Sequence, residues 1–62
     1  DREIKTVKTS WGLIKIKVGK LNGKVVQASP EYEDCKKTAI KRKASVKLIY
    51  DEAHFQARKL FF

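Results

Sequence analysis

The most constraining stretch of the chain runs Leu13-Ile14-Lys15-Ile16-Lys17-Val18-Gly19-Lys20-Leu21-Asn22-Gly23. Ile14, Ile16 and Val18 occupy every second position and alternate with Lys15 and Lys17. A period of two sends the aliphatic side chains to one face of a strand and the lysines to the other. Asn-Gly directly after such a run is the strongest short hairpin signal, because a type I′ turn needs positive φ at both central residues. Residues 13–21 therefore form one arm of an antiparallel pair, and Val25, Val26 and Gln27 continue into the other. With a two-residue turn, Lys20 pairs with Val25 and Val18 faces Gln27, which leaves Val26 on the lysine face. A bulge at Gly19 would repair that register.

Upstream, residues 3–9 carry Ile, Val and Thr and read as a first strand. Ile4 and Val7 have opposite parity, so this strand is either bulged or a two-faced edge. Ser10-Trp11-Gly12 reads as the turn after it. Downstream, Ser29 suits an N-cap and Pro30 the first position of a helix. Acids lead that helix (Glu31, Glu33, Asp34) and bases trail it (Lys36, Lys37, Lys41, Arg42, Lys43), as the helix dipole favours. Tyr32, Cys35, Ala39 and Ile40 make its apolar stripe. Ser45 caps a second helix from 46 to about 60, with Val46, Ile49, Tyr50, Ala53, Ala57 and Leu60 as the core face. The order βββαα gives an α+β fold, a three-stranded antiparallel meander followed by two helices, with at least one helix covering Ile14, Ile16 and Val18.

A chain of 62 residues makes a single small domain. A chain of this length buries only about 60% of the surface exposed when unfolded, so a partner chain or domain is expected. The first residue is Asp1 rather than Met, which points to the C-terminal fragment of a larger protein. The N-terminus lacks the apolar core of a secretory signal, and no apolar run approaches the roughly 18 residues of a membrane span. The single cysteine, Cys35, cannot form an internal disulfide. A reducing, cytoplasmic setting without membrane contact is expected.

The net charge is +8. The helical charges need no ligand to explain them, but the β region differs. From Ile4 to Ser29 there are six lysines (5, 8, 15, 17, 20 and 24) and no acid. Lys15 and Lys17 share a face and are the candidate phosphate contacts; the alternative is a solvated face whose edge lysines oppose aggregation. General nucleic-acid binding is disfavoured, since no helix-turn-helix, zinc finger or RNP pattern is present.

Glu31 and Asp34 stand three apart on one expected helical face and could together hold a hard cation such as Mg²⁺ or Mn²⁺; otherwise they serve the start of the helix. His54 has no second ligand at a metal spacing and reads as solvent-facing or paired with Asp51. Cys35 is a core residue first, and only its thiolate form would favour a softer metal. No catalytic residue is assigned, and so small a fragment is not expected to be catalytic alone. Leu48, Phe55 and Phe62 repeat every seven residues beside the core face, an apolar stripe for the core or for another subunit or domain.

The run Thr9-Ser10-Trp11-Gly12-Leu13-Ile14-Lys15-Ile16-Lys17-Val18, the hairpin Asn22-Gly23-Lys24-Val25-Val26, and then Pro30-Glu31-Tyr32-Glu33-Asp34-Cys35 resemble the C-terminal end of the LarC-type nickel insertion proteins. Ile49-Tyr50-Asp51-Glu52-Ala53 fits the family's second helix, and the resemblance covers about residues 3–58. Ser45 stands where the family often has a proline, and Arg42 or Lys43 where it often has a glycine. The resemblance implies a CTP-dependent nickel insertion enzyme, a lyase or chelatase that makes the nickel-pincer cofactor of lactate racemase. It further implies that the C-terminal part serves nucleotide and metal (Mn²⁺ or Mg²⁺) binding or homo-oligomerisation beside an upstream domain of the same chain. The competing readings are a non-catalytic interaction module built on Leu48, Phe55 and Phe62, and a small basic nucleic-acid binder.

Overall fold

The structure, a computed structural model, describes residues 2–62. Three strands, β1 (Arg2–Thr9), β2 (Gly12–Leu21) and β3 (Lys24–Pro30), precede two helices, α1 (Tyr32–Arg42) and α2 (Val46–Phe61). The strands form one antiparallel sheet in the order β1-β2-β3. Val7, Ile14, Ile16, Val18 and Ala28 from the sheet pack with Cys35 and Ala39 of α1 and Ile49, Ala53 and Ala57 of α2. The helices therefore cover one face of the sheet and leave the other open. The small side chains of Ala53 and Ala57, both fully buried, let α2 approach the strands closely.

The hairpin forms as the sequence dictates. Asn22 and Gly23 both have positive φ, at 54° and 76°. Lys20 pairs with Val25, but a bulge follows, so that Gly19 faces Gln27 and Val18 faces Ala28. Val26 is the extra residue, and the shift restores Val18 and Ala28 to the core face. The expected Val18–Gln27 pairing is thereby corrected. β1 is a two-faced edge without a bulge: Val7 is buried against Ile14, while Ile4 lies beside Lys17 on the open face. At the β1–β2 turn, the Thr9 hydroxyl donates to the Gly12 carbonyl at 2.8 Å and accepts the Trp11 N–H at 3.1 Å.

Ser29 and Pro30 do not start the helix, contrary to the sequence expectation. Both remain in β3, with Ser29 opposite Lys17 and Pro30 opposite Ile16. Continued pairing with β2 outweighs the local capping preference, and proline is tolerated because β3 is an edge strand. Glu31 takes the N-cap position of α1 with extended backbone and no side-chain cap. The expected stripe of α1 narrows to Cys35 and Ala39, and Tyr32 and Ile40 are exposed. α1 ends at Lys43 in the left-handed region (φ 53°), with the Ala44 N–H donating to the Ala39 carbonyl at 2.9 Å. Ser45 caps α2 as expected, its hydroxyl accepting the Leu48 N–H at 3.2 Å. Leu60, expected in the core, is exposed, and Phe61 packs on the core from the next position instead.

Candidate functional site

The six β-region lysines divide between the two faces of the sheet. Cross-strand partners share a face, so Lys8, Lys15, Lys17 and Lys24 lie on the open face with Arg2. Lys5 and Lys20 lie on the helix side, where both reach Glu3: Lys20 Nζ at 3.0 Å and Lys5 Nζ at 3.4 Å. The Lys20 hydrogen bond and charge, with Lys5 beside them, hold the Glu3 carboxyl below its ordinary range. The expected six-lysine platform thus divides into four lysines on the open face and two gathered around Glu3 on the other, where one carboxylate offsets only one of the two charges.

On the open face, Lys15 and Lys17 are two residues apart on β2, about 7 Å along the strand. Each borders a different depression. Lys17, with Ser29, Pro30, Tyr32, Val46, Lys47, Tyr50 and Asp51, lines an open groove of about 610 Å³. The groove combines two tyrosine rings with two ammonium groups, and Asp51 accepts from Lys47 at 2.8 Å. Lys15 borders a smaller depression with Glu31, Glu33, Asp34 and Lys37. Glu31 is not on the helix, so the expected shared helical face is corrected. The fold nonetheless brings Glu31 and Asp34 together beside Lys15.

The backbone explains why. Glu31 N–H donates to the Lys15 carbonyl at 2.8 Å, one ladder step beyond β3. Its own carbonyl is already used by α1, accepting Asp34 N–H and Cys35 N–H at 3.1 Å each. The Lys15 N–H donates instead to Asp34 Oδ2 at 2.8 Å. Asp34 thus joins strand to helix with one oxygen and sits at the positive end of α1.

This donor chemistry suits a hard cation held jointly with phosphate oxygens, since Mg²⁺ and Mn²⁺ are commonly held by one or two carboxylates plus substrate phosphates. Among the described residues no group of three or more His, Cys, Asp or Glu side chains could hold a metal alone. Cys35 is fully buried, and burial, with the neighbouring Asp34 charge, pushes its thiol above the ordinary value. That favours the neutral thiol over the metal-binding thiolate. His54 is half-buried with its ring 6.0 Å from Tyr50, while Asp51, its expected partner, pairs with Lys47. Leu48, Phe55 and Phe62 are all exposed, with Lys59 Nζ 5.4 Å from the Phe55 ring centre and the Arg58 guanidinium 6.0 Å from that of Phe62.

Three features carry no local sequence signal. Glu52 clasps the β1–β2 turn, accepting from Ser10 N–H at 2.9 Å and from the Ser10 hydroxyl at 3.0 Å, across 42 residues. The Asp34–Lys15 bond and the Tyr32–Tyr50 groove likewise depend on tertiary placement.

The profile of the family described as nickel insertion protein matches residues 1–50. The chain belongs to the nickel insertion protein family. The pyridinium-3,5-bisthiocarboxylic acid mononucleotide nickel insertion protein of Geobacillus kaustophilus is 41% identical to this chain over 59 residues, 95% of the chain and 14% of the relative. The protein of that name from Thermotoga sp. (strain RQ2) is 43% identical over 49 residues, 79% of the chain and 12% of the relative. Among solved structures, apo LarC2, the C-terminal domain of a cyclometallase involved in synthesis of the NPN cofactor of lactate racemase, superposes with a TM-score of 0.82 at 26% identity. The match covers 94% of this chain and 40% of the LarC2 chain. Among the described residues, no helix is long and apolar enough to cross a membrane.

Proposed function

We propose that this segment supplies nucleotide-phosphate and metal contacts to a CTP-dependent nickel insertion enzyme that makes a nickel-pincer cofactor, with nickel as the cargo. The supporting observation is that Lys15 and Lys17 share the open face and join a tyrosine-lined groove to a carboxylate pair. Phosphate oxygens would meet the two ammonium groups. Glu31 and the free oxygen of Asp34 would hold Mn²⁺ or Mg²⁺ on the phosphates, where the ion neutralises charge. The protonated, buried Cys35 stays structural. The test is cofactor output: a full-length nickel insertion protein carrying this segment with Lys15→Ala and Lys17→Ala should lose activation of lactate racemase apoenzyme, and undiminished activation would sink the reading.

A second reading is favoured by the exposure of Leu48, Phe55 and Phe62, at 58%, 60% and 64%. Three large apolar side chains on one helical line are the kind of surface that associates, with a second copy or with the upstream domain. Sedimentation of the wild type against Phe55→Glu tests it: an oligomer that persists in the variant removes this stripe as the contact.

A further inference from the structure

We propose that the outer edge of β1 receives a fourth strand, supplied by the portion of a nickel insertion polypeptide that this chain does not span. The backbone sets the geometry. The Lys15 N–H and carbonyl point to the α1 side of β2, where they meet Asp34 and Glu31. Thr6, which is opposite Lys15, therefore cannot bond to it through the backbone, and its own N–H and carbonyl point away from β2. The alternation of an antiparallel ladder extends this to Arg2, Ile4 and Lys8, whereas Glu3, Lys5, Val7 and Thr9 face β2. One side of an eight-residue strand thus presents a row of outward backbone groups.

The two edges of the sheet differ in their protection. β3 is broken by the bulge at Val26, and its last residue, Pro30, has no N–H to offer. β1 is paired to β2 without irregularity at every position from Arg2 to Thr9 and contains no proline. An unbroken free edge of this kind is a template for strand addition. Ile4, 56% exposed on the open face, would gain a cross-strand neighbour from an added strand.

Charge and chain length choose the occupant. A second copy is disfavoured because each chain carries +8 and the edge strand itself carries Arg2, Lys5 and Lys8 against a single acid, Glu3. The same cations favour an acidic extended segment. The rest of the polypeptide is an available source of an added strand, because this chain covers only 40% of the LarC2 chain it matches.

Residue-resolved hydrogen exchange on a full-length nickel insertion protein carrying this segment, kept monomeric by dilution, tests the proposal. The amides of Lys5 and Val7 face β2 and report that the sheet is formed. The proposal expects Ile4, Thr6 and Lys8 to exchange as slowly as they do, and Thr6→Pro, which deletes one outward N–H, to abolish the protection of Ile4 and Lys8. Slow Lys5 and Val7 beside fast Ile4, Thr6 and Lys8 would overturn it. So would protection that appears only as the concentration rises, which would make the occupant a second copy. If Thr6→Pro does not fold, backbone N-methylation at Thr6 of the 62-residue chain, ligated into the full-length protein, removes the same donor without the ring.

Discussion

The carboxylate of Asp34 accepts the backbone N–H of Lys15 at 2.8 Å, in the place where a strand carbonyl would stand had β3 continued. The carbonyl that would have served, that of Glu31, has turned to begin α1. An acid in the first turn of the helix thus does two jobs at once: it completes the ladder of β2 and complements the helix dipole.

Removing that acid should therefore cost stability as well as any ligand. Asp34→Ala leaves the exposed Lys15 N–H to water and should destabilise the chain by about 0.5–1.5 kcal/mol. Asp34→Asn keeps an acceptor oxygen and should recover much of that loss, while weakening any Mn²⁺ contact. Urea unfolding of the two variants, beside metal titration of the asparagine variant, separates the structural role from the metal role.

Lys43 occupies the left-handed position that closes α1, with φ 53° and ψ 50°. A side chain is disfavoured there and glycine is not. Lys43→Gly should raise stability by about 0.5–1 kcal/mol, read as a higher urea midpoint at unchanged slope.

The pH dependence should have two limbs. Glu3 is held below its ordinary value of 4.5 by Lys20 and Lys5, so its contribution is present above that value and lost as the pH falls through its lowered folded-state value. Cys35 is pushed above its ordinary value of 9.0 by burial, so its contribution is present below pH 9.0 and lost as the pH rises through the raised value. Thermal melts across pH should fall off at both ends. Glu3→Gln should flatten the acid limb alone, and salt should weaken it because the pair is partly exposed.

Much of the fold was legible because short-range rules agree with the tertiary structure. Ile14, Ile16 and Val18 fixed the core face of β2, Asn22-Gly23 fixed the hairpin, and Ser45 fixed the start of α2. The Ser29-Pro30 boundary misled because capping preference is local, whereas the pairing of Ser29 with Lys17 is decided across the sheet. Leu60 misled because helical periodicity gives a direction but not where the sheet beneath the helix ends. At the candidate site, the shared face of Lys15 and Lys17 followed from strand parity alone. The division of six lysines into two groups did not, since it required the register that sets Glu3 opposite Val18 and within reach of Lys20.

The most direct test of the account is a calorimetric titration of CTP with Mn²⁺ into a full-length nickel insertion protein carrying this segment, wild type beside Lys15→Ala/Lys17→Ala. Loss of two charge-assisted phosphate contacts should weaken binding by at least about tenfold. Equal affinity in the two proteins would contradict the assignment of the open lysine face to the nucleotide.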